Sequence, residues 1–439
     1  MRMPGGLGSK NSKTLLVTFI ARFLAAIGTF VLGVIVARVY GAGGLGAYAL
    51  AQSFVLGLAI VSRFGGANAL TLYVGRSPYD AAVKKYFSWS MFIALTLSLL
   101  TAGVSYIFLG VILDYYNEQS LQALMPGFLL ATPGFTLAFV CSGMLKGIKK
   151  PARSVLAENG VISIVTAILL LAVSRGIYDD ISVLGYCYAA SAWIVLCWTL
   201  YSIYKWFKNQ HKIREKNTGS AVSFAEYFSS STNFFFLSAT MLVQQVFSVM
   251  IASAFISVEE IGYFRAAERT ALLVGFVQVV INAVYPARFA KAYHENKINN
   301  LVYLSRQSAS VAVVLCFPLL LLCVIFPEYV LSLFGSGFQG AVPVLMVIAV
   351  AQGVNVSLGS VSYMLQMTGH GATARNIAFF SSAVSLLLYF LLGESMGLMG
   401  IAYAFSAGIV LLNVLNAVMV KRLLGFWIYP SFEYRKKNA

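Results

Sequence analysis

Five arginines stand where hydrocarbon should be. Arg22, Arg38, Arg63, Arg265 and Arg269 all lie inside long apolar runs, and Glu268 stands among the last two. An ionised side chain at the centre of a bilayer costs at least about 2.5 to 3.5 kcal/mol, so each needs a partner, a wet cavity or a route to the interface. Arg38 falls near the outer end of its run, within reach of the interface by snorkelling. Arg22 lies about eight residues into its run, roughly 12 Å at the rise of a helix. Arg63 and Arg269 both approach the middle of theirs, while Arg265 and Arg269 share a helix face and Glu268 is spaced to pair with Arg265. Two readings stand side by side: a buried ion pair locking helices together, or an anion site. Two guanidiniums against one carboxylate leave positive charge in excess, and the guanidinium fork matches phosphate. The cargo this favours is acidic.

Uncharged polar residues add hydrogen-bonding capacity inside the same runs: Gln52, Asn68, Gln244, Gln245, Gln278, Asn282, Gln352 and Asn355. Each taken alone also reads as a helix-packing contact. Nothing points to catalysis, a metal or a cofactor. His211, His294 and His370 all fall in polar connections, no GxxxxGK[ST] phosphate loop occurs, and no Cys or His cluster has metal-ligand spacing. The outer connections are too short to carry an enzyme's acid or nucleophile. Cys141, Cys187, Cys197, Cys316 and Cys323 lie in apolar runs, where a buried thiol is expected to pack and disulfide chemistry is not.

The elements that must hold these arginines follow from composition. Of 439 residues, 59% are apolar and 10% charged, against about 25% charged in a soluble domain. Apolar runs of about 20 residues recur along the whole chain. Twelve spans are expected, at about 15–40, 45–75, 86–113, 120–145, 154–174, 182–205, 226–256, 261–286, 303–326, 339–367, 373–393 and 398–421. The first is too long for a signal peptide's apolar region and is expected to stay uncleaved. Of the 31 Lys and Arg, 25 fall in alternate connections and the two ends, which makes that side cytoplasmic, both termini included. The net charge of +16 therefore reports topology and not nucleic acid. Lys205, Lys208, Lys212, Arg214 and Lys216 are placed to meet anionic lipids at that face.

The halves repeat. Leu45-Gly46-Ala47-Tyr48 with Ala51-Gln52 matches Ile261-Gly262-Tyr263-Phe264 with Ala267-Glu268, an offset of 216 residues. Pro126 answers Pro343, Gly147 and Arg153 answer Gly369 and Arg375, and Gly185-Tyr188-Ala189-Ser191 answers Gly400-Tyr403-Ala404-Ser406, at offsets of 217, 222 and 215. The fold expected is all-α and polytopic, with a six-helix lobe at 1–205, a cytoplasmic linker at 206–225, a second lobe at 226–424 and a basic tail at 425–439. Repeats with an even number of spans are related by an axis along the membrane normal and suit alternating access around a central path. Gly28, Gly33, Ala37, Gly57 and Gly65 either allow close helix contact or simply face lipid.

Ala37-Arg38 with Gly41, Gly46 and Tyr48 opening the second span, and Arg63 with Gly65-Gly66 along it, carry a resemblance. The chain resembles the polysaccharide transporters of the MOP superfamily and is similar to Wzx-type O-antigen flippases. The resemblance implies a protein of the bacterial inner membrane that flips a polyprenyl-diphosphate-linked oligosaccharide, the repeat unit of an O-antigen, capsule or exopolysaccharide, to the outer leaflet. It also implies that Arg22, Arg63 and Arg265 or Arg269 hold the anionic headgroup, and that other glycan-assembly membrane proteins are partners. The alternative within the superfamily is a multidrug or small-molecule cation antiporter. Such exporters carry a carboxylate in an N-lobe span, whereas the first four spans here have none and Glu158 sits at the inner end of the fifth.

Overall fold

A computed structural model describes residues 9–111, 118–173, 180–209, 222–242, 246 and 248–431. Every regular element among them is helical. The protein is an all-α polytopic membrane protein. Eight helices are long and apolar enough to cross a bilayer, and two of these are double length: Val17–Ser62 with 46 residues and Gly371–Leu424 with 54, against the ~20 that one crossing needs. Each is divided by a glycine. Gly41 (φ 70°, ψ −168°) interrupts α1 (Ser9–Ser62) and Gly397 (φ 53°, ψ −129°) interrupts the Gly371–Leu424 helix. A side chain would clash in both conformations. These breaks fall in the connections expected after residues 40 and 393. The expected fifth span is not among the eight, because it is built from two shorter helices, Pro151–Leu156 and Asn159–Ala172, and the expected seventh falls partly outside the described residues.

Contacts divide the chain into two compact units, Met1–Met250 and Ile251–Ala439. The first contains α1, α2 (Gly66–Arg76), α3 (Val83–Ile107), α4 (Gln119–Gly147), α5 (Pro151–Leu156), α6 (Asn159–Ala172), α7 (Ser182–Asn209) and α8 (Phe224–Leu242), and the short α9 (Ser248–Ala252) straddles the division. Its axis is α4, buried along most of its length. Close approach makes this possible: a Cβ on Gly127 would lie 2.3 Å from the backbone of Gly185 on α7, and one on Gly143 would lie 2.2 Å from the carbonyl oxygen of Ala67 on α2. Tyr48, Phe128 and Tyr188 fill the layer above, with Phe128 and Tyr188 stacked at 4.5 Å. Outward faces, such as Phe92, Leu100 and Ile107 on α3, are apolar and exposed, as lipid contact requires. Gly28 is a packing glycine, since its Cβ would overlap Ile164.

The division between the units falls after Met250. Helix α7 continues to Asn209, and α8 packs within the first unit. The reason is a set of specific polar contacts that hydropathy does not encode. Ser90 and the Tyr227 hydroxyl are 2.6 Å apart, Tyr73 and Ser230 share a hydrogen bond of 2.7 Å, and Tyr73, Tyr86 and Tyr227 form an aromatic cluster.

The second unit contains α10 (Val258–His294), α11 (Ile298–Ile325), α12 (Pro327–Leu331), α13 (Val342–Ser357), α14 (Val361–Met367) and α15 (Gly371–Leu424). A capping box at Ser257 and Glu260 starts α10. One turn recurs in both units. After α4, Lys149 is left-handed (φ 59°) and the Lys150 N–H donates to the Leu145 carbonyl at 2.9 Å; after α14, Gly369 is left-handed (φ 87°) and the His370 N–H donates to Leu365 at 2.8 Å. The structural equivalent of Gly369 is thus Lys149 and not Gly147, because only the residue just past the helix needs positive φ.

The cysteines are free, as expected, and four are buried; Cys197 is exposed, since α7 turns that face outward.

Candidate functional site

Arg63 sits at a break in the second span. Helix α1 ends at Ser62, Phe64 and Gly65 adopt positive φ (43° and 71°), and α2 begins at Gly66. A break exposes backbone groups that a hydrocarbon environment cannot satisfy, so neighbours must supply partners. The Ser231 hydroxyl of α8 donates to the Phe64 carbonyl at 2.7 Å, and the Gly66 N–H donates to the Arg63 carbonyl at 2.7 Å. Phe64 stacks between Phe228 and Phe235, at 5.3 and 4.9 Å. Ser231→Ala removes the one side-chain donor to the break and is expected to cost about 1 to 3 kcal/mol, read as an earlier thermal aggregation midpoint of the purified protein.

The Arg63 guanidinium lies over the Phe139 ring of α4, 4.2 Å from its centroid, a cation–π geometry. Among the described residues no carboxylate lies within ion-pair distance of it. Glu158 acts on it electrostatically, but its carboxylate binds Lys146 Nζ at 2.7 Å and accepts from Ser142 at 3.1 Å. Arg63 is therefore held rigidly from one side by an aromatic face while its positive charge stays uncancelled by direct contact.

In the second unit the expected pair is present. Arg265 Nη1 and Glu268 Oε2 are 2.6 Å apart, and both side chains are 12% exposed. The pair lies near the Tyr389 ring on α15, which is 3% exposed. Arg269 follows one turn after Arg265, half-buried.

The other predicted residues divide. Gln52 is buried and donates to the Tyr48 hydroxyl at 2.8 Å, so it serves the core of the first unit. Gln278 and Asn282 brace a second helix break, at Gly359 (φ 67°) between α13 and α14: Gln278 donates to Ser360 at 3.1 Å, and Ser360 donates to Asn282 at 2.6 Å. Gln352 accepts from Asn355 at 3.1 Å and packs over Gly275. Asn68 is exposed on α2, 3.5 Å from Ser238. Arg22 and Arg38 are exposed on α1. Gln244 and Gln245 lie outside the described residues. Apolar periodicity does not reveal the break; its signal was Gly65-Gly66 two residues after Arg63 in an apolar run.

The family model for polysaccharide biosynthesis proteins matches residues 12–292, well over half of the chain. The chain belongs to this family. No curated protein matches it. Its fold is similar to an inward-facing multidrug resistance MATE family transporter of the MOP superfamily, with 14% identity, 93% of this chain and 94% of that one covered, and a TM-score of 0.68. It is also similar to the lipid II flippase MurJ in an inward closed conformation, with 17% identity, 92% and 87% covered, and a TM-score of 0.64. The MATE multidrug transporter DinF-BH, in complex with R6G, gives 16% identity, 96% and 98% covered, and 0.64. The chain is thus a polysaccharide biosynthesis family protein whose fold is similar to that of these solved membrane proteins.

Proposed function

We propose that the protein is a flippase that carries a polyprenyl-diphosphate-linked oligosaccharide across the bacterial inner membrane by alternating access, with both termini cytoplasmic. Membership of the polysaccharide biosynthesis family supports the cargo class. The observation that carries the reading is Arg63: a guanidinium at a helix break, backed by Phe139 and without a carboxylate at ion-pair distance among the described residues. That arrangement suits a diphosphate, whose oxygens match the guanidinium fork. Arg22, Arg265 and Arg269 are proposed as further headgroup contacts. The glycan occupies the hydrated path and the polyprenyl tail stays in lipid, so the tail never enters water. Outward movement of uncompensated negative charge gains about 2.3 kcal/mol per charge per 100 mV of negative-inside potential.

The test compares Arg63→Ala and Arg63→Lys in a host lacking its own copy, with surface glycan display measured at matched membrane expression. Loss of a charge-assisted contact worth about 1.5 to 3 kcal/mol should reduce display by roughly ten- to hundredfold for alanine, with partial recovery for lysine. Wild-type display from the alanine variant would overturn the anion-site reading. Drug resistance conferred on a sensitive strain would assign the antiporter activity instead.

A further inference from the structure

Away from these central arginines, three cations of the first unit converge on one hollow. Lys150 lies in the turn after α4, Arg153 on α5 and Lys205 near the end of α7, and together they line a cavity of about 360 Å³. Tyr79 and Trp206 form its aromatic side, stacked with ring centroids 6.5 Å apart, and Asn209 adds a polar group. Among the described residues none of the three cations has a carboxylate at ion-pair distance. The neighbouring Asp80 carboxylate is occupied, accepting from the Ala82 N–H at 2.9 Å. Burial first, then the neighbouring Arg153 and Lys205 charges, hold the Lys150 ammonium below its ordinary pKa.

Two comparisons within the chain show that this is not simply what a basic loop does. A larger hollow in the second unit, about 900 Å³, is lined by Arg288, Lys291 and Lys297, but Glu295 lies 3.7 Å from Lys291 and 2.7 Å from Lys297 and cancels much of their charge. Lys421, one repeat offset of 216 residues after Lys205, is turned to its own helix end, donating to the Gly425 carbonyl at 2.9 Å. Among the described residues no carboxylate pairs with the cations of the first unit's hollow, and they come from three separate elements whose ends the Lys149 turn and α7 fix.

We propose that this hollow binds a phosphate group presented at the membrane surface. Lys150 and Lys205 act as point charges, Arg153 supplies a fork, and the Tyr79–Trp206 face covers the apolar side of whatever carries the phosphate. The chemistry is shared by an anionic lipid headgroup and a free phosphate, and the site stands whether or not Arg63 receives the cargo.

The experiment is native mass spectrometry of the full chain in detergent, titrated separately with phosphatidic acid and with inorganic pyrophosphate. At low concentration wild-type protein and Arg63→Ala alike should retain a probe molecule in this hollow. Retention of phosphatidic acid alone assigns a lipid headgroup, and retention of pyrophosphate assigns a free phosphate. Lys150→Gln, Arg153→Gln and Lys205→Gln combined should weaken binding by about fivefold per charge. A control with Arg76→Gln, Lys84→Gln and Lys85→Gln should bind as wild type does. Retention of neither probe, undiminished binding by the first triple variant, or equal loss in the control would overturn the site. Arg63→Ala should leave this binding unchanged, which separates failure here from failure of the central anion site.

Discussion

Gly65→Ala should nearly abolish folded protein, although it adds a single methyl group to a small apolar position. Gly65 has φ 71°, where an L-residue costs roughly 1 to 2 kcal/mol. The space is closed as well: the added Cβ would lie 2.1 Å from the Ser231 carbonyl oxygen and 2.6 Å from the Phe235 nitrogen, both backbone atoms of α8. Backbone cannot rotate aside as a side-chain tip can, so α8 must move as a body. That movement would break the Ser231 hydrogen bond to Phe64 and the stack of Phe64 on Phe228 and Phe235. Overpacking of this kind costs about 1 to 3 kcal/mol beyond the backbone strain. The measurement is the monodisperse fraction on size-exclusion chromatography together with the thermal midpoint. Gly75→Ala is the control, since nothing lies within 4 Å of a Cβ there and its φ is not positive. A Gly65→Ala protein that melts with wild type would mean that the break does not hold this geometry in the membrane.

Much of the architecture was legible because the bilayer imposes a coarse code. Apolar length gives spans, and a cluster such as Gly41-Ala42-Gly43-Gly44 marks where a double-length helix divides. The Arg265–Glu268 contact was legible too, since residues three apart on a helix are neighbours whatever surrounds them. What apolar length does not encode is which side of a helix faces what. Gln52 and Gln278 were read as lining a path, and each also makes an internal hydrogen bond through its amide N–H; a polar side chain in an apolar run looks the same in either role. The place of α8 in the first unit rests on Tyr227, Ser230 and Ser231 meeting particular partners, and a hydropathy profile cannot express pairing. Arg63 was found by its charge, whereas the break that presents it was not, because Gly65-Gly66 reads equally well as ordinary helix packing.

Glu268→Ala should be more damaging than removal of both partners together. The pair is mostly buried, with a 2.6 Å contact between Arg265 Nη1 and Glu268 Oε2. Deleting the carboxylate leaves the guanidinium in a setting where its direct counter-charge is gone, and breaking a buried pair in this way costs about 3 to 5 kcal/mol. Replacing both with apolar residues, Arg265→Met with Glu268→Leu, removes the two desolvation costs along with their attraction and should return most of that stability. A thermal midpoint well below wild type for the single variant and near it for the double identifies a pair that holds structure. Transport separates the remaining roles. If Arg265 also contacts the anionic cargo, the double variant will be stable and will fail in surface glycan display, and Glu268→Gln, which keeps a hydrogen-bond acceptor but drops the negative charge, will bind the anion more tightly as its release slows. If the pair only stabilises α10 itself, the stable double variant will display glycan as wild type does, and the anion contact in this unit must then come from Arg269.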